Sequence, residues 1–142
     1  MAWQRGWTRN FRLQLDLGVL EYAMPWRVAL YKNSAQLDKS NVSVYSPTHE
    51  VSGGGYTPTG AVVQPSFYDA GYRYPFLSFS DAVFENITEP EVRGATLIYY
   101  HPTLWLVAAV IDFGKIHNVA NRRIRVRCPV PTVDQAFLRF RA

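Results

Sequence analysis

Asp112, Phe113 and Gly114 spell the magnesium-binding tripeptide of protein kinases, the most chemically suggestive run in the chain. Its surroundings do not support that chemistry. No glycine-rich nucleotide loop, strand lysine or catalytic-loop motif accompanies it, and a kinase fold needs about twice the length. His49, His101 and His117 stand apart without the i, i+4 or His-Glu spacing of a metal site. The single cysteine, Cys128, precedes Pro129 and reads as a small buried hydrophobe; alone, it forms no internal disulfide. Asp81, Glu85, Glu89 and Glu91 cluster in sequence and read as a solvated acidic rim rather than an acid/base pair. Neither an enzyme nor a bound cofactor or metal is expected.

Arginine is the other candidate chemistry. Twelve of the fifteen cations are Arg, and the net charge is +4. The run NRRIRVRCPV alternates, with Arg123, Arg125 and Arg127 on one face and Ile124, Val126 and Cys128 on the other. Such alternation sets guanidinium groups about 7 Å apart along a strand. Arg139 and Arg141 repeat the pattern in AFLRFRA. Planar, permanently charged groups suit fixed contacts to carboxylates. A solvated face, an acidic protein neighbour and nucleic acid all stay open, the last disfavoured because clustered lysines and stacking aromatics are missing beside the stripe.

These residues need a scaffold, and composition points to β. Aromatics reach 15% while charged residues are only 18%, below the usual quarter, which suits a chain that hides surface in an assembly. Residues 95–114, ATLIYYHPTLWLVAAVIDFG, read as two strands reversing at His101-Pro102-Thr103. Alternation puts Trp105, Val107, Ala109, Ile111 and Phe113 on one face, and Leu104, Leu106, Ala108, Val110 and Asp112 on the other. Both faces are apolar, so both must be covered. No apolar run is long enough to cross a membrane as a helix, and residues 1–20 offer aromatics and arginines without the apolar run of a signal peptide. The two Asn-X-Ser/Thr sequons, at Asn41 and Asn86, read as chance.

Along the chain, PWRVALYK predicts a half-buried strand, and residues 33–48 a polar loop with a short strand at 42–45. EVSGGGYTPTG predicts a sharp turn or bulge with close backbone approach, feeding a strand at 61–64. Residues 64–71 read as a turn, 72–79 as an edge strand interrupted by Pro75, 88–91 as a turn and 116–120 as a loop. Strands at 121–130 and 136–142 close the chain. Trp3, Trp7 and Phe11, four apart, predict a short N-terminal helix, against a competing alternation at Phe11, Leu13, Leu15 and Leu17. That segment either docks on its own domain or reaches into a neighbouring subunit. The expected fold is all-β: an antiparallel β-sandwich, jelly-roll-like, of about seven short strands over residues 25–142, with a helix or arm over residues 1–24.

The segments VALYK, HEVSGGGYTPTGAVV, FSDAVFENIT, RGATLIYY and LWLVAAVIDFG together resemble a family of small proteins encoded among the structural genes of tailed bacteriophages. The likeness spans roughly residues 25–127. This chain departs from it in having Phe84 where Trp is usual and in its Trp/Arg-rich start. The resemblance implies a virion component: a capsid decoration or head-fibre-base protein, or a neck or tail adaptor. Expected partners are the major capsid protein or neck and tail proteins, and further copies of the chain itself; nucleic acid and membrane are not expected. Interface candidates are Trp3, Trp7, Phe11, Arg123, Arg125, Arg127, Arg139 and Arg141. A host-surface or glycan-binding module, using Tyr72, Tyr74 and Phe76, is the alternative of another class.

Overall fold

The computed structural model describes residues 3, 6–8, 25–40, 42–68, 76–101, 103–127 and 138–139. Eight antiparallel strands account for most of them: β1 (Gly6–Trp7), β2 (Trp26–Lys32), β3 (Ala61–Val63), β4 (Pro65–Tyr68), β5 (Phe76–Phe79), β6 (Ala82–Tyr100), β7 (Trp105–Val126) and β8 (Leu138–Arg139). A five-stranded sheet has the order β1-β7-β6-β2-β3, and a three-stranded sheet the order β4-β5-β8. The only helical turn among the described residues is a 3-10 turn at Asn33–Ala35. Gly6 and Trp7, within the Trp3-Trp7-Phe11 spacing that suggested a helix, are extended and pair with Val110 and Ala109, and an N-terminal helix is not shown. Gly6 is a poor helix former, and an open strand flank lies beside it. Phe11 and the 13–17 alternation lie outside the described residues.

One hairpin dominates. The reversal at 101–104 is where the sequence puts it, closed by the His101 N–H on the Leu104 carbonyl at 3.0 Å. Its arms run far past their expected ends, because the turn at 88–91 and the loop at 116–120 are both strand. Register shifts between Phe84 and Gly94 absorb the punctuation. Asn86 (φ 55), Asn121 (φ 51) and Gly114 (φ 86) take left-handed backbone along these arms, and Pro90 sits exposed within a shifted stretch. A straight strand of 19 residues would reach roughly 60 Å. This one doubles back: Phe79, just ahead of β6, packs on Trp26 at 4.9 Å, and Trp26 packs on Tyr99 near the far end of β6 at 5.3 Å.

The returning hairpin closes one large core. Trp26, Val28 and Leu30 of β2 and Ala95, Leu97 and Tyr99 of β6 share it with Ala82, Phe84, Ile87 and Val126 from the other end of the hairpin. A smaller cluster on the opposite face joins Ala29, Tyr31, Ile98 and Val107, covered by Leu37, Val42 and Tyr45 of the polar loop. Both apolar faces are thus covered, as expected, but the face assignment along β7 breaks. Leu97 pairs with Ala109 and Ile98 with Val107, leaving Ala108 as a bulge. One extra residue inverts the alternation, so Trp105 and Val107 join the small cluster while Ala109, Ile111 and Phe113 join the large one.

Two further expectations change. Residues 65–68, expected as turn, form β4, with Pro65 at the first position where a missing N–H is tolerated. β5 begins after Pro75, so it can pair on both sides and is the central strand of its sheet rather than an edge.

Candidate functional site

The glycine-rich loop meets the hairpin where its register shifts. A Cβ on Gly53 would lie 1.7 Å from the Thr88 carbonyl oxygen, and one on Gly54 2.1 Å from that of Asn86. The Gly55 N–H donates to the Asn86 carbonyl at 2.8 Å, and Gly54 bridges to Ile87. Tyr56, next in line, stacks on Phe84 at 5.7 Å. Three bare residues therefore let backbone lie on backbone, and the aromatic after them enters the core.

Glu50 anchors the same loop. It is 6% exposed and accepts hydrogen bonds from the Tyr45 hydroxyl at 2.5 Å, the Thr59 N–H at 3.0 Å and the Tyr56 hydroxyl. The Tyr56 oxygen in turn accepts the Leu30 N–H at 3.0 Å, tying the cluster to β2. Burial, then the hydrogen bond given to Glu50 and its charge, push the Tyr45 phenol up to about 12. The same causes raise Tyr56 further, and burial followed by the Glu50 charge raises Tyr31. All three phenols are held as neutral donors. The arrangement serves as a clamp.

Asp112 is also structural. It pairs with Arg93 across the hairpin at 2.8 Å, and its Oδ1 accepts the Gly114 N–H at 2.9 Å. Arg93 reaches the Asn33 side chain and lies 6.0 Å from the centre of the Trp3 ring. The Trp3 indole N–H donates to the Asn33 carbonyl at 3.2 Å, and the ring fills the space a side chain on Gly94 would take. Trp3 thus packs within its own chain.

The histidines are dispersed: His49 meets Ser34, His101 sits at the hairpin turn, and His117 faces Phe113. Among the described residues no group of three His, Cys, Asp or Glu could hold a metal ion. Asp81, Glu85 and Glu91 are exposed, whereas Glu89 is buried, a departure from the expected acidic rim. The inward turn follows from the register shifts either side of it.

Arg123, Arg125 and Arg127 are exposed while Ile124 and Val126 turn inward, so the alternation over 123–127 is the one the sequence predicts. Arg123 pairs with Glu85 at 2.8 Å, with both side chains more than half exposed. Such a contact is worth roughly 0–1 kcal/mol. Arg139 belongs to the other sheet, its backbone paired with Phe76. Arg141 and the side chains of Trp7 and Arg139 lie outside what is described.

Beside this row runs a groove of about 410 Å³ that sequence reasoning missed. Phe113, Val119 and Ile124 form its floor and Arg122, Arg123 and Arg125 its rim. Residues 116–120 read as a loop, which hid the continuity of floor and rim. A spacing-two signal from His117 to Val119 existed but was too short to count. Comparison of the chain with family models, curated proteins and solved structures finds no match.

Proposed function

We propose that this chain is a structural protein of a tailed-phage virion, one that stabilises or decorates the particle through protein–protein contacts on the capsid. The alternative within the class is a neck or tail adaptor that attaches fibres. The fold belonging to this reading is an antiparallel, jelly-roll-like sandwich, formed as the long hairpin returns over its own sheet.

The observation that carries the reading is how the motif residues are used. Glu50, Gly53, Gly54 and Tyr56 engage Leu30, Phe84, Asn86 and Thr88, and Arg93 engages Asp112. The segments behind the phage-family resemblance thus bind one another and fix the backbone. Facing outward instead are Arg123, Arg125 and Arg127. A rigid block with an outward guanidinium row suits a protein that acts by contact, since Arg is enriched where interface energy concentrates.

The test replaces all three exposed arginines (R123E/R125E/R127E) and measures occupancy in assembled particles. Occupancy should fall roughly tenfold or more, with the circular dichroism of the isolated chain unchanged. Wild-type occupancy of the variant, or absence of the chain from purified particles, would remove the proposal. A density map of the particle separates the two positions: copies on every capsomer mean decoration, and a ring at one vertex means an adaptor.

A further inference from the structure

We infer that the outer flank of β7 from Phe113 to Val126 is a strand-addition site for one extended, acidic segment of a neighbouring protein, with apolar side chains at alternate positions. The inference deepens the contact-protein reading above and rests on it for the identity of the neighbour as another virion component.

Main-chain pairing is the first ground. One flank of β7 follows β6 along its length. Among the described residues, the other is closed near the hairpin turn. There Tyr45 donates to Trp105, Val107 donates to Ser43, Thr8 donates to Ala108, and β1 pairs with Ala109 and Val110. Past Asp112, no described strand pairs with this flank. Among the described residues nothing takes the alternate N–H and C=O groups there, which can receive a strand of ordinary length, roughly five to ten residues.

Side chains supply the second ground. In the large core the β6 row is sealed, with Ile87 0% and Val92 1% exposed. The facing β7 row is not: Phe113, Val119 and Ile124 are each half-buried and floor the open groove. Ile116, on the same stretch, is 48% exposed. Charges placed merely to keep an edge from pairing need no apolar floor beneath them. An incoming strand with apolar residues at every second position would cover that floor and finish the core.

Charge selects the occupant. Among the described residues, none lining the groove is acidic, and of the rim arginines only Arg123 has an acidic partner. Arg122 and Arg125 therefore await carboxylates. A second copy of β7 does not supply them. Antiparallel pairing of two such flanks brings the arginine end of one onto the end of the other that carries Lys115, where Asp112 is already held by Arg93. Nucleic acid would meet the arginines but leave the main-chain groups unpaired.

The experiment titrates the full chain with labelled peptides alternating Glu with Val, Lys with Val, and Glu with Ser, and with single-stranded oligo-dT. Fluorescence anisotropy reads binding, and amide exchange reads its place. The Glu/Val peptide should bind, weaken as salt rises, and slow exchange along β7 past Asp112, while the Lys/Val peptide should not bind. Glu/Ser should bind more weakly than Glu/Val, because the floor stays uncovered. The variant R122E/R125E, changed at exposed positions only, should lose at least tenfold in affinity and keep its circular dichroism.

No binding at millimolar Glu/Val peptide, unchanged affinity in R122E/R125E, or protection elsewhere than β7 would overturn the inference. So would oligo-dT protecting the same stretch, or dimerisation of the chain that protects it without peptide. Peptide binding by a chain absent from particles would uphold the groove and remove the virion reading. Incorporation into particles without peptide binding would do the reverse.

Discussion

Glu50 holds its carboxylate beneath the loop that carries it, where two phenols and a main-chain N–H converge. Truncating it leaves three donors without their acceptor, one of them, Tyr56, buried and the other two half-buried. Glu50→Ala should therefore lower stability by about 3 kcal/mol, read as a drop in the urea midpoint with an unchanged slope. The glycines allow a sharper comparison. Gly54 and Gly114 both have positive φ, at 68° and 86°, but a Cβ on Gly54 would strike the Asn86 carbonyl while one on Gly114 meets nothing within 4 Å. Gly114→Ala should cost about 1–2 kcal/mol, the backbone term alone. Gly54→Ala should cost at least about 3 kcal/mol, because a main-chain atom must move as well. Equal losses in urea unfolding would mean that loop and hairpin do not touch as described.

The hairpin shows how one residue redistributes a strand. Ala108 is apolar like its neighbours and nothing in its type marks it as a bulge, yet it decides which core receives Trp105 and which receives Ile111. Asn86, Asn121, Pro90 and Gly114 carry the opposite lesson. Each is a turn-former, and each reads locally as the end of a strand. In the folded chain the strand continues through them, because register shifts let pairing with the partner arm resume. Amide exchange should show the pairing directly. The amides of 95–99, flanked by β2 and β7, should be the slowest in the molecule, while about half of those in 113–126, the ones pointing away from β6, should exchange early. Uniform protection along β7 would show that the flank is covered in the isolated chain.

At the scale of the molecule, the buried phenols tie stability to alkaline pH. Burial pushes Tyr99 up to about 12, and Tyr45 reaches about 12 beside Glu50. Unfolded phenols ionise near 10. The folded chain thus holds these protons more tightly than the unfolded one, so the contribution is intact below pH 10 and is lost as pH climbs from 10 towards 12 and beyond. Part of the phenolate absorbance should accordingly appear only together with loss of near-ultraviolet dichroism. Ionisation of every tyrosine near pH 10 in a still-folded chain would contradict it.

Local pattern alone was enough for the β class, the strand at 26–32, the reversal at 101–104, the close approach of the glycines and the outward row Arg123, Arg125 and Arg127. Each rests on a period of two or on a backbone preference that a few adjacent residues express without help. The length of the hairpin arms, the inversion at Ala108, the burial of Glu50 and Glu89, and the groove along β7 belong to the tertiary structure. They depend on pairs far apart in the chain, such as Tyr56 with Phe84 and Trp26 with Tyr99. Whether Asn or Gly ends a strand or bends it is settled by what packs beneath, and that partner is absent from the local sequence.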